Sequence, residues 1–377
     1  MSKEFRDWAG IPCDLLCQIV GKSDLLIDDC IRTSAVCRSW QACLEQPKFP
    51  VCLMLAENED EDNNMRCFCT ASEDKVMERE LPELRGRRCW GTPFGYLVTF
   101  DEGFAFPTPE GFRRFFLHKF AFSSSDPTSP DFVVMAIFTS RQVLLGFAKP
   151  GDEAWTTIGD GSDAFALDDV TYFNGSFFAV SSRGLLLKCQ DLDGPSPKCV
   201  EFTKSPGYEN DDDDSVYPQQ YIVDLNGHLC MILRMLGSDD IKNSAGEIVY
   251  PDVNVTWEFV IFKLDMQSRN WERMVSLGDW CLFLGNCCTF CVLATHYPGC
   301  TPNHIYYTDD DYVNYEKCGG YDTDDDYANY EKCGGYDTGI YNFDDDEDGG
   351  LLLPQDGESD GFRSKFCPPL WILPSSY

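Results

Sequence analysis

Two cysteines of the sequence, Cys288 and Cys291, have the Cys-x-x-Cys spacing of redox couples and zinc half-sites. A zinc site would need a second Cys or His pair, and the sequence, with only 4 His, offers none at zinc-finger spacing. Both cysteines also lie in an apolar stretch with the alternation of a strand, so we interpret them as buried thiols. Cys67 and Cys69 are interpreted in the same way.

Acidic side chains are the other abundant group that could do chemistry. The sequence has 63 Asp and Glu against 30 Lys and Arg, which gives a formal charge of −33. Because such a surface repels phosphate backbones, we expect no nucleic-acid partner. None of the acidic runs has the spaced ligands of a calcium-binding loop, so we interpret them as solvated loops. The alternative is a docking site for a basic partner. The runs occupy residues 57–62, 209–214, 309–311, 324–326 and 344–348.

Motifs of familiar enzyme classes are missing from the sequence. It contains neither a Walker-type phosphate loop nor a His-Glu-x-x-His element. A catalytic pair of carboxylates could exist among 63 acids, but no spacing selects one. We therefore expect no catalytic residue, no cofactor and no metal.

The 20 cysteines would indicate a disulfide framework if this were a small secreted chain. The N-terminus, however, has no apolar stretch of the signal-peptide kind. The most apolar stretch, 280–294, is too short and too interrupted to span a bilayer. We therefore predict reduced thiols that act as small apolar side chains, a location in the cytoplasm or nucleus, and no membrane partner.

Residues 8–46 have the periodicity of three short helices. Pro12 suits the first turn of the first helix, because its missing N–H would be unused there. A second helix is predicted over 26–32 and a third over 34–44. The apolar face of the first helix contains Leu15, Leu16, Ile19 and Val20. The apolar face of the third contains Val36, Cys37, Trp40 and Leu44.

Near residue 93 the pattern changes to short apolar runs with a period of two, which is typical of strands. Asn174-Gly175 and Asn226-Gly227 separate such runs and are predicted to form hairpin turns. A series of short strands is compatible with three folds: a sandwich, a barrel or a propeller. We favour a propeller because it leaves few exposed sheet edges. A domain of about 280 residues would hold about six blades of about 45 residues each.

The predicted fold class is α+β and multidomain. A small three-helix module over 8–48 is followed by a charged linker and entry segment over 49–92 and a large all-β, propeller-like domain over 93–377. Within this domain, a 15-residue unit that starts at Thr308 recurs over 323–337 with one substitution. This period is too short for a blade, so we interpret 308–337 as a tandem duplication in an exposed acidic loop, where insertion costs little.

The N-terminal segment resembles an F-box. The resemblance is carried by an apolar residue before Pro12, an acidic residue, paired leucines, and the ending Val36-Cys-Arg-x-Trp40. Ile11 replaces the usual Leu, and Gln41 replaces the Arg that often follows the Trp. In F-box proteins this module docks on the Skp adaptor of an SCF ubiquitin ligase. By resemblance, that contact is formed or supported by Ile11, Pro12, Leu15, Leu16, Ile19, Val36, Cys37 and Trp40.

A three-helix unit of about 40 residues buries little surface, so part of its apolar stripe is left for a partner helix. On the alternative interpretation, some of the residues, such as Leu16 and Cys37, only pack the three helices together.

The rest of the chain resembles the β-propeller domain of plant F-box proteins of the KIB type. The acidic duplication interrupts the family pattern between residues 309 and 339. The resemblance is carried by residues 169–180, 277–285, 297–309, 339–343 and 368–374.

Together these resemblances imply the substrate-receptor subunit of an SCF-type ubiquitin ligase. The F-box would hold the Skp adaptor, and through it a cullin, while the propeller binds a protein substrate that the sequence does not identify. The chain would act by proximity and supply no catalytic group. The alternatives are a scaffold that acts outside a ligase, a propeller hydrolase with two convergent carboxylates of shifted pKa, and a family member that has lost its function.

Overall fold

The structure is a computed structural model of the 377-residue chain. Ile19, the predicted second helix, Cys288 and all but the ends of the duplication lie outside the described residues. Among the described residues, no helix is long and apolar enough to cross a membrane. The structure describes residues 10–16, 33, 36–43, 50–55, 64–70, 73–85, 87–100, 117–139, 143–158, 167–182, 184–206, 218–242, 248–285, 289–308, 337–344, 347–351 and 369–373.

The described strands form five sheets of four or five strands and one ribbon of two. The first sheet contains β1 (Cys52–Met54), β2 (Met65–Thr70), β3 (Glu73–Glu80) and the last strand of the chain, β23 (Leu370–Ile372). The ribbon contains β4 (Arg88–Gly91) and β5 (Leu97–Phe100). The second sheet contains β6 (Leu117–Phe122), β7 (Val134–Thr139), β8 (Val143–Ala148) and β9 (Thr156–Ile158).

The third sheet contains β10 (Leu167–Phe173), β11 (Ser176–Ser181), β12 (Leu185–Gln190) and β13 (Lys198–Lys204). The fourth contains β14 (Gln219–Leu225), β15 (His228–Lys242), β16 (Ile248–Leu264) and β17 (Trp271–Arg273). The fifth contains β18 (Trp280–Leu284), β19 (Phe290–Leu293), β20 (His304–Tyr307), β21 (Gly339–Asn342) and β22 (Glu347–Leu351). Among the described residues, helical elements are a turn over 13–16, α1 (Arg38–Cys43) and 3₁₀ turns at Pro82–Leu84 and Ala294–His296.

Each of the second, third and fourth sheets is a meander of antiparallel neighbours, which is the blade of a propeller. The fifth sheet departs from this order, because β18 pairs with β20 in parallel and has β19 on its other side. The large domain is thus an all-β propeller. Its described part has five full blades and the two-stranded ribbon, where about six blades were expected.

The beginning and the end of the propeller meet in its first blade. Strand β1 pairs with β23, so that Leu53 lies opposite Trp371. This pairing joins the first and last described strands of the propeller and removes strand edges that would otherwise stay open. The prediction of a charged linker and entry segment over 49–92 is corrected in its linker part, since β1 to β4 already lie there. Several of the charges belong to β3, which is an edge strand, and charged edge strands resist pairing with other chains.

Aromatic packing holds this closure together. The ring of Phe283 stacks between those of Phe290 and Tyr306, at centroid distances of 5.0 and 4.7 Å. Trp371 meets the Phe283 ring edge-on at 5.1 Å. All four side chains are buried, and they share one core with Leu53. The last blade is therefore packed directly against the strand that closes the first.

Two hairpin turns have the geometry that the sequence predicts. Asn174 and Gly175 have φ values of 44° and 77°, and Asn226 and Gly227 have φ values of 51° and 79°. Both residues of each turn thus lie in the left-handed region, as a two-residue hairpin loop requires. The prediction is confirmed at both turns.

Candidate functional site

The N-terminal segment begins a helical turn at Pro12. The N–H groups of Leu15 and Leu16 donate to the Pro12 carbonyl oxygen at 3.0 and 3.1 Å. Successive residues of a helix point in different directions, and these two leucines have opposite environments. Leu16 is 1% exposed, whereas Leu15 is 52% exposed. One leucine therefore packs inside the protein and the other is available to a partner.

A second exposed apolar side chain lies just before α1. Val36 is 60% exposed, and its N–H donates to the Thr33 carbonyl oxygen at 3.3 Å. Cys37 and Trp40 are half-buried. The Cys37 thiol lies 3.1 Å from the Ser39 hydroxyl. The start of α1 therefore presents one apolar residue to solvent and holds two more against the protein.

The predicted adaptor contacts can now be placed, except for Ile19. Exposed side chains are those of Pro12, Leu15 and Val36, and half-buried side chains are those of Ile11, Cys37 and Trp40. The burial of Leu16 agrees with a role in internal packing. Cys13, beside Pro12, is disulfide-bonded, so the expectation of reduced thiols is wrong at this residue.

A buried polar network joins the blades of the propeller. Lys119, Asp169 and Tyr221 are the third residues of β6, β10 and β14, which are the first strands of three successive blades. Equivalent positions bring these side chains together, and each is at most 4% exposed. The Lys119 ammonium lies 4.9 Å from the centre of the Tyr221 ring and donates to the Gly285 carbonyl oxygen in the fifth blade.

The carboxylate of Asp169 links three blades. It accepts hydrogen bonds from the Ile222 N–H at 3.1 Å and from the Thr289 hydroxyl at 2.7 Å. Its other oxygen accepts from the Val170 N–H at 2.8 Å. Burial raises the pKa of the Asp169 carboxyl, and the nearby charge of Lys119 opposes this shift without cancelling it.

Arg234, on β15, gathers acceptors from the last two blades. Its guanidinium donates to the Thr256 hydroxyl at 2.7 Å and to the Tyr221 hydroxyl at 3.1 Å. It also donates to the Thr308 carbonyl oxygen at 2.9 Å and to the Asp337 carboxylate at 2.8 Å. Thr256 donates to the same carboxylate at 2.7 Å. Thr308 and Asp337 are the first and last residues of the duplication, so one side chain holds both of its ends.

The hydrogen bonds of this network connect the blades to one another, which is a structural role. A propeller hydrolase would need two carboxylates that reach a substrate. Asp169 and Asp337 are 1% and 4% exposed, and donors inside the protein occupy both. The described polar groups of the network therefore form hydrogen bonds with one another.

The cysteine motifs show no metal geometry in the described residues, where no group of three or more His, Cys, Asp or Glu could hold a metal ion. The Cys291 thiol donates to the Asp224 carbonyl oxygen at 3.1 Å. Burial raises the pKa of this thiol to about 12, so it stays protonated at neutral pH. Cys67 and Cys69 are half-buried on β2.

The sequence analysis did not select Arg234, Lys119 or Asp337. A signal was present for Arg234, which stands in the apolar run 229–236. A charge at the centre of a buried strand requires a buried partner, and the chain provides one in Asp337. The partner is distant in sequence, so the pairing could not be inferred.

Comparison with known proteins places the propeller in a family. The chain matches the family described as KIB1-4 beta-propeller over residues 68–342. It is 26% identical over 209 residues to the Arabidopsis thaliana F-box protein At5g55150, across 54% of this chain and 51% of that protein. The chain thus spans about half the length of this relative.

Two other Arabidopsis thaliana proteins match over more of their length. The F-box/kelch-repeat protein At1g57790 is 24% identical over 312 residues, across 74% of this chain and 76% of that protein. The F-box protein SKIP23 is 22% identical over 357 residues, across 80% and 84%. The resemblance to plant F-box proteins with a KIB-type propeller is confirmed, and the chain belongs to the KIB1-4 beta-propeller family.

Proposed function

We propose that this chain is the substrate-receptor subunit of an SCF-type ubiquitin ligase. An F-box module over 8–48 binds a Skp-type adaptor, and through it a cullin, while the propeller binds the protein to be ubiquitinated. The observation that carries the proposal is the exposure of Leu15 and Val36 within a segment that has the residue order of an F-box. Membership of the KIB1-4 family and similarity to proteins named as F-box proteins support it.

The exposed residues suit binding to an apolar partner surface. Burial of a Leu or Val side chain contributes roughly 1.5–3 kcal/mol, so Leu15 and Val36 together can supply a substantial part of a docking energy. Leu16, the buried neighbour of Leu15 in the chain, packs the helical turn against the protein. Half-buried Trp40 can contribute further apolar area at the rim of the contact.

In this proposal the chain contributes binding and no covalent chemistry. The propeller holds the substrate close to the ubiquitin carrier, which raises the effective concentration of the target lysine. The place of action is the cytoplasm or the nucleus. A scaffold outside a ligase would bind the same adaptor without changing the turnover of the bound protein.

The test is calorimetric titration of the purified full chain with a Skp-type adaptor. Leu15→Asp and Val36→Asp should each weaken binding by at least about 1.4 kcal/mol, which is about tenfold in Kd, because each places a charge in an apolar contact. Val275→Asp is the matched control, since Val275 is 84% exposed and lies in the propeller. It should leave the affinity unchanged.

Two outcomes would contradict the proposal. In one, the folded wild-type chain does not bind the adaptor. In the other, Val275→Asp weakens binding as much as Val36→Asp does, which would place the contact outside the N-terminal segment. To separate ligase from scaffold, ubiquitin transfer to proteins captured by the propeller should be compared between wild type and Leu15→Asp in the reconstituted complex.

A further inference from the structure

Cys189 and Cys199 are directly opposed in the antiparallel pair of β12 and β13. Their sulfur atoms lie 3.1 Å apart, and both thiols are free. Opposed residues of antiparallel strands have Cα atoms about 4.5–5.5 Å apart, which is within the range that a disulfide bridges. A bond of about 2 Å therefore requires the two sulfur atoms to approach by roughly 1 Å, with little movement of the backbone.

The two thiols differ in their access to solvent. Cys189 is 5% exposed and touches the Met135 sulfur at 3.7 Å. Cys199 is half-buried on β13, which is the edge strand of its blade. The hydrogen bond to Cys199 and burial both raise the pKa of the Cys189 thiol. A soluble oxidant thus meets Cys199 first, and Cys189 lies behind it within reach.

We propose that Cys189 and Cys199 are a reversible dithiol–disulfide site that a peroxide oxidises. The Cys199 thiolate attacks one oxygen of hydrogen peroxide and becomes a sulfenic acid, and hydroxide leaves. The Cys189 sulfur then attacks the Cys199 sulfur, an S–S bond forms, and water leaves with the proton of Cys189. In sum, two thiols and one hydrogen peroxide give one disulfide and two waters.

The consequence is a covalent link between the edge strand and its blade. Residues 190–198 become a closed loop, and β13 can no longer separate from β12. In the cytoplasm or nucleus, the location given in the proposed function, disulfides are typically transient and serve redox sensing.

The experiment is peptide mapping of the folded full chain after treatment with hydrogen peroxide and alkylation of the remaining thiols with a maleimide. Trypsin cuts after Lys188, Lys198 and Lys204, so the two cysteines fall in separate peptides, 189–198 and 199–204. We expect these two peptides to appear joined, and to separate when dithiothreitol is added before digestion. Cys199→Ser should abolish the joined product.

Cys67 and Cys69 are the matched control, because they are also half-buried and not disulfide-bonded. They lie two residues apart on one strand, so their Cβ atoms point to the same face about 6.6 Å apart, whereas a disulfide requires Cβ atoms about 3.5–4.5 Å apart. Both should therefore remain alkylated. The proposal is overturned if peroxide converts Cys199 to a sulfinic acid without joining the peptides. It is also overturned if the joined product forms equally fast in urea, because the fold would then not bring the thiols together.

Discussion

Arg234 and Asp337 form a buried ion pair, with guanidinium nitrogen and carboxylate oxygen 2.8 Å apart. Their side chains are 1% and 6% exposed, so both charges are almost fully removed from water. Such a pair persists only where further hydrogen bonds satisfy both groups, and Thr256, Tyr221 and Thr308 provide them here. The pair connects the fourth blade to Asp337, which lies two residues before β21 in the fifth.

Loss of Arg234 should destabilise the propeller strongly. Arg234→Met leaves the Asp337 carboxylate buried without its cation, and the expected cost in the free energy of unfolding is about 3–5 kcal/mol. The double variant Arg234→Met/Asp337→Leu removes both charges and should recover much of this loss. Urea unfolding of the two variants and wild type gives the comparison. Equal loss in the single and double variants would show that the ion pair is not the stabilising element.

The same geometry predicts that one copy of the duplication is dispensable for folding. Deletion of residues 308–322 brings Thr323 to the position of Thr308 and keeps Asp337, so Arg234 meets the same two residue types. Halving a loop changes its closure free energy by only about 0.6 kcal/mol. The unfolding midpoint in urea should therefore change little. Deletion of 323–337 yields nearly the same sequence, with Val313 in place of Ala328, and is the matched control.

A large loss of stability in either deletion would contradict this expectation. It would mean that the second copy contributes contacts of its own and that the unit is more than an insertion between fixed ends.

Local patterns predicted the change to short strands and the hairpin turns between them. The turns at Asn174-Gly175 and Asn226-Gly227 have the positive φ values that the sequence predicts. These features depend on neighbours in sequence, namely the alternation of apolar residues and the freedom of Asn and Gly at positive φ.

Features that depend on distant residues could not be predicted. Strand β1 has three residues, too few to show a period, and its partner β23 lies at the other end of the chain. Strand β3 is an edge strand and carries many charges. Charges are also typical of a solvated linker, so the sequence pattern did not distinguish the two. The placement of Lys119, Asp169 and Tyr221 at equivalent positions of three blades becomes visible only once the strands are aligned in space.

Gly285 should tolerate no side chain. Its φ is 143°, and a Cβ atom there would overlap the Thr308 hydroxyl, beside the carbonyl oxygen that Lys119 binds. Gly285→Ala therefore adds a steric clash to backbone strain and should cost more than the roughly 1–3 kcal/mol of backbone strain alone. Gly227→Ala is the control, because Gly227 has φ 79° and open space around it. Thermal unfolding of both variants compares the costs, and similar values would argue against the close approach to Thr308.

Asp169 should make the protein less stable as pH rises. Because burial raises its pKa in the folded state, the folded chain binds this proton more tightly than the unfolded chain does. The favourable contribution is complete below the ordinary Asp pKa of about 3.9 and is lost as pH rises from there through the raised pKa. Asp169→Asn cannot titrate and should lack this contribution to the pH dependence.

The measurement is the difference in unfolding free energy between Asp169→Asn and wild type, taken at several pH values from about 4 to 7. The other carboxylates titrate in both proteins, so their contribution to the pH dependence of the unfolding free energy cancels in the difference. With rising pH the variant should gain stability relative to wild type, although its lost hydrogen bonds give it a constant deficit. A difference that moves in the opposite direction would mean that Lys119 and the hydrogen bonds outweigh burial, and that Asp169 is an ordinary stabilised carboxylate.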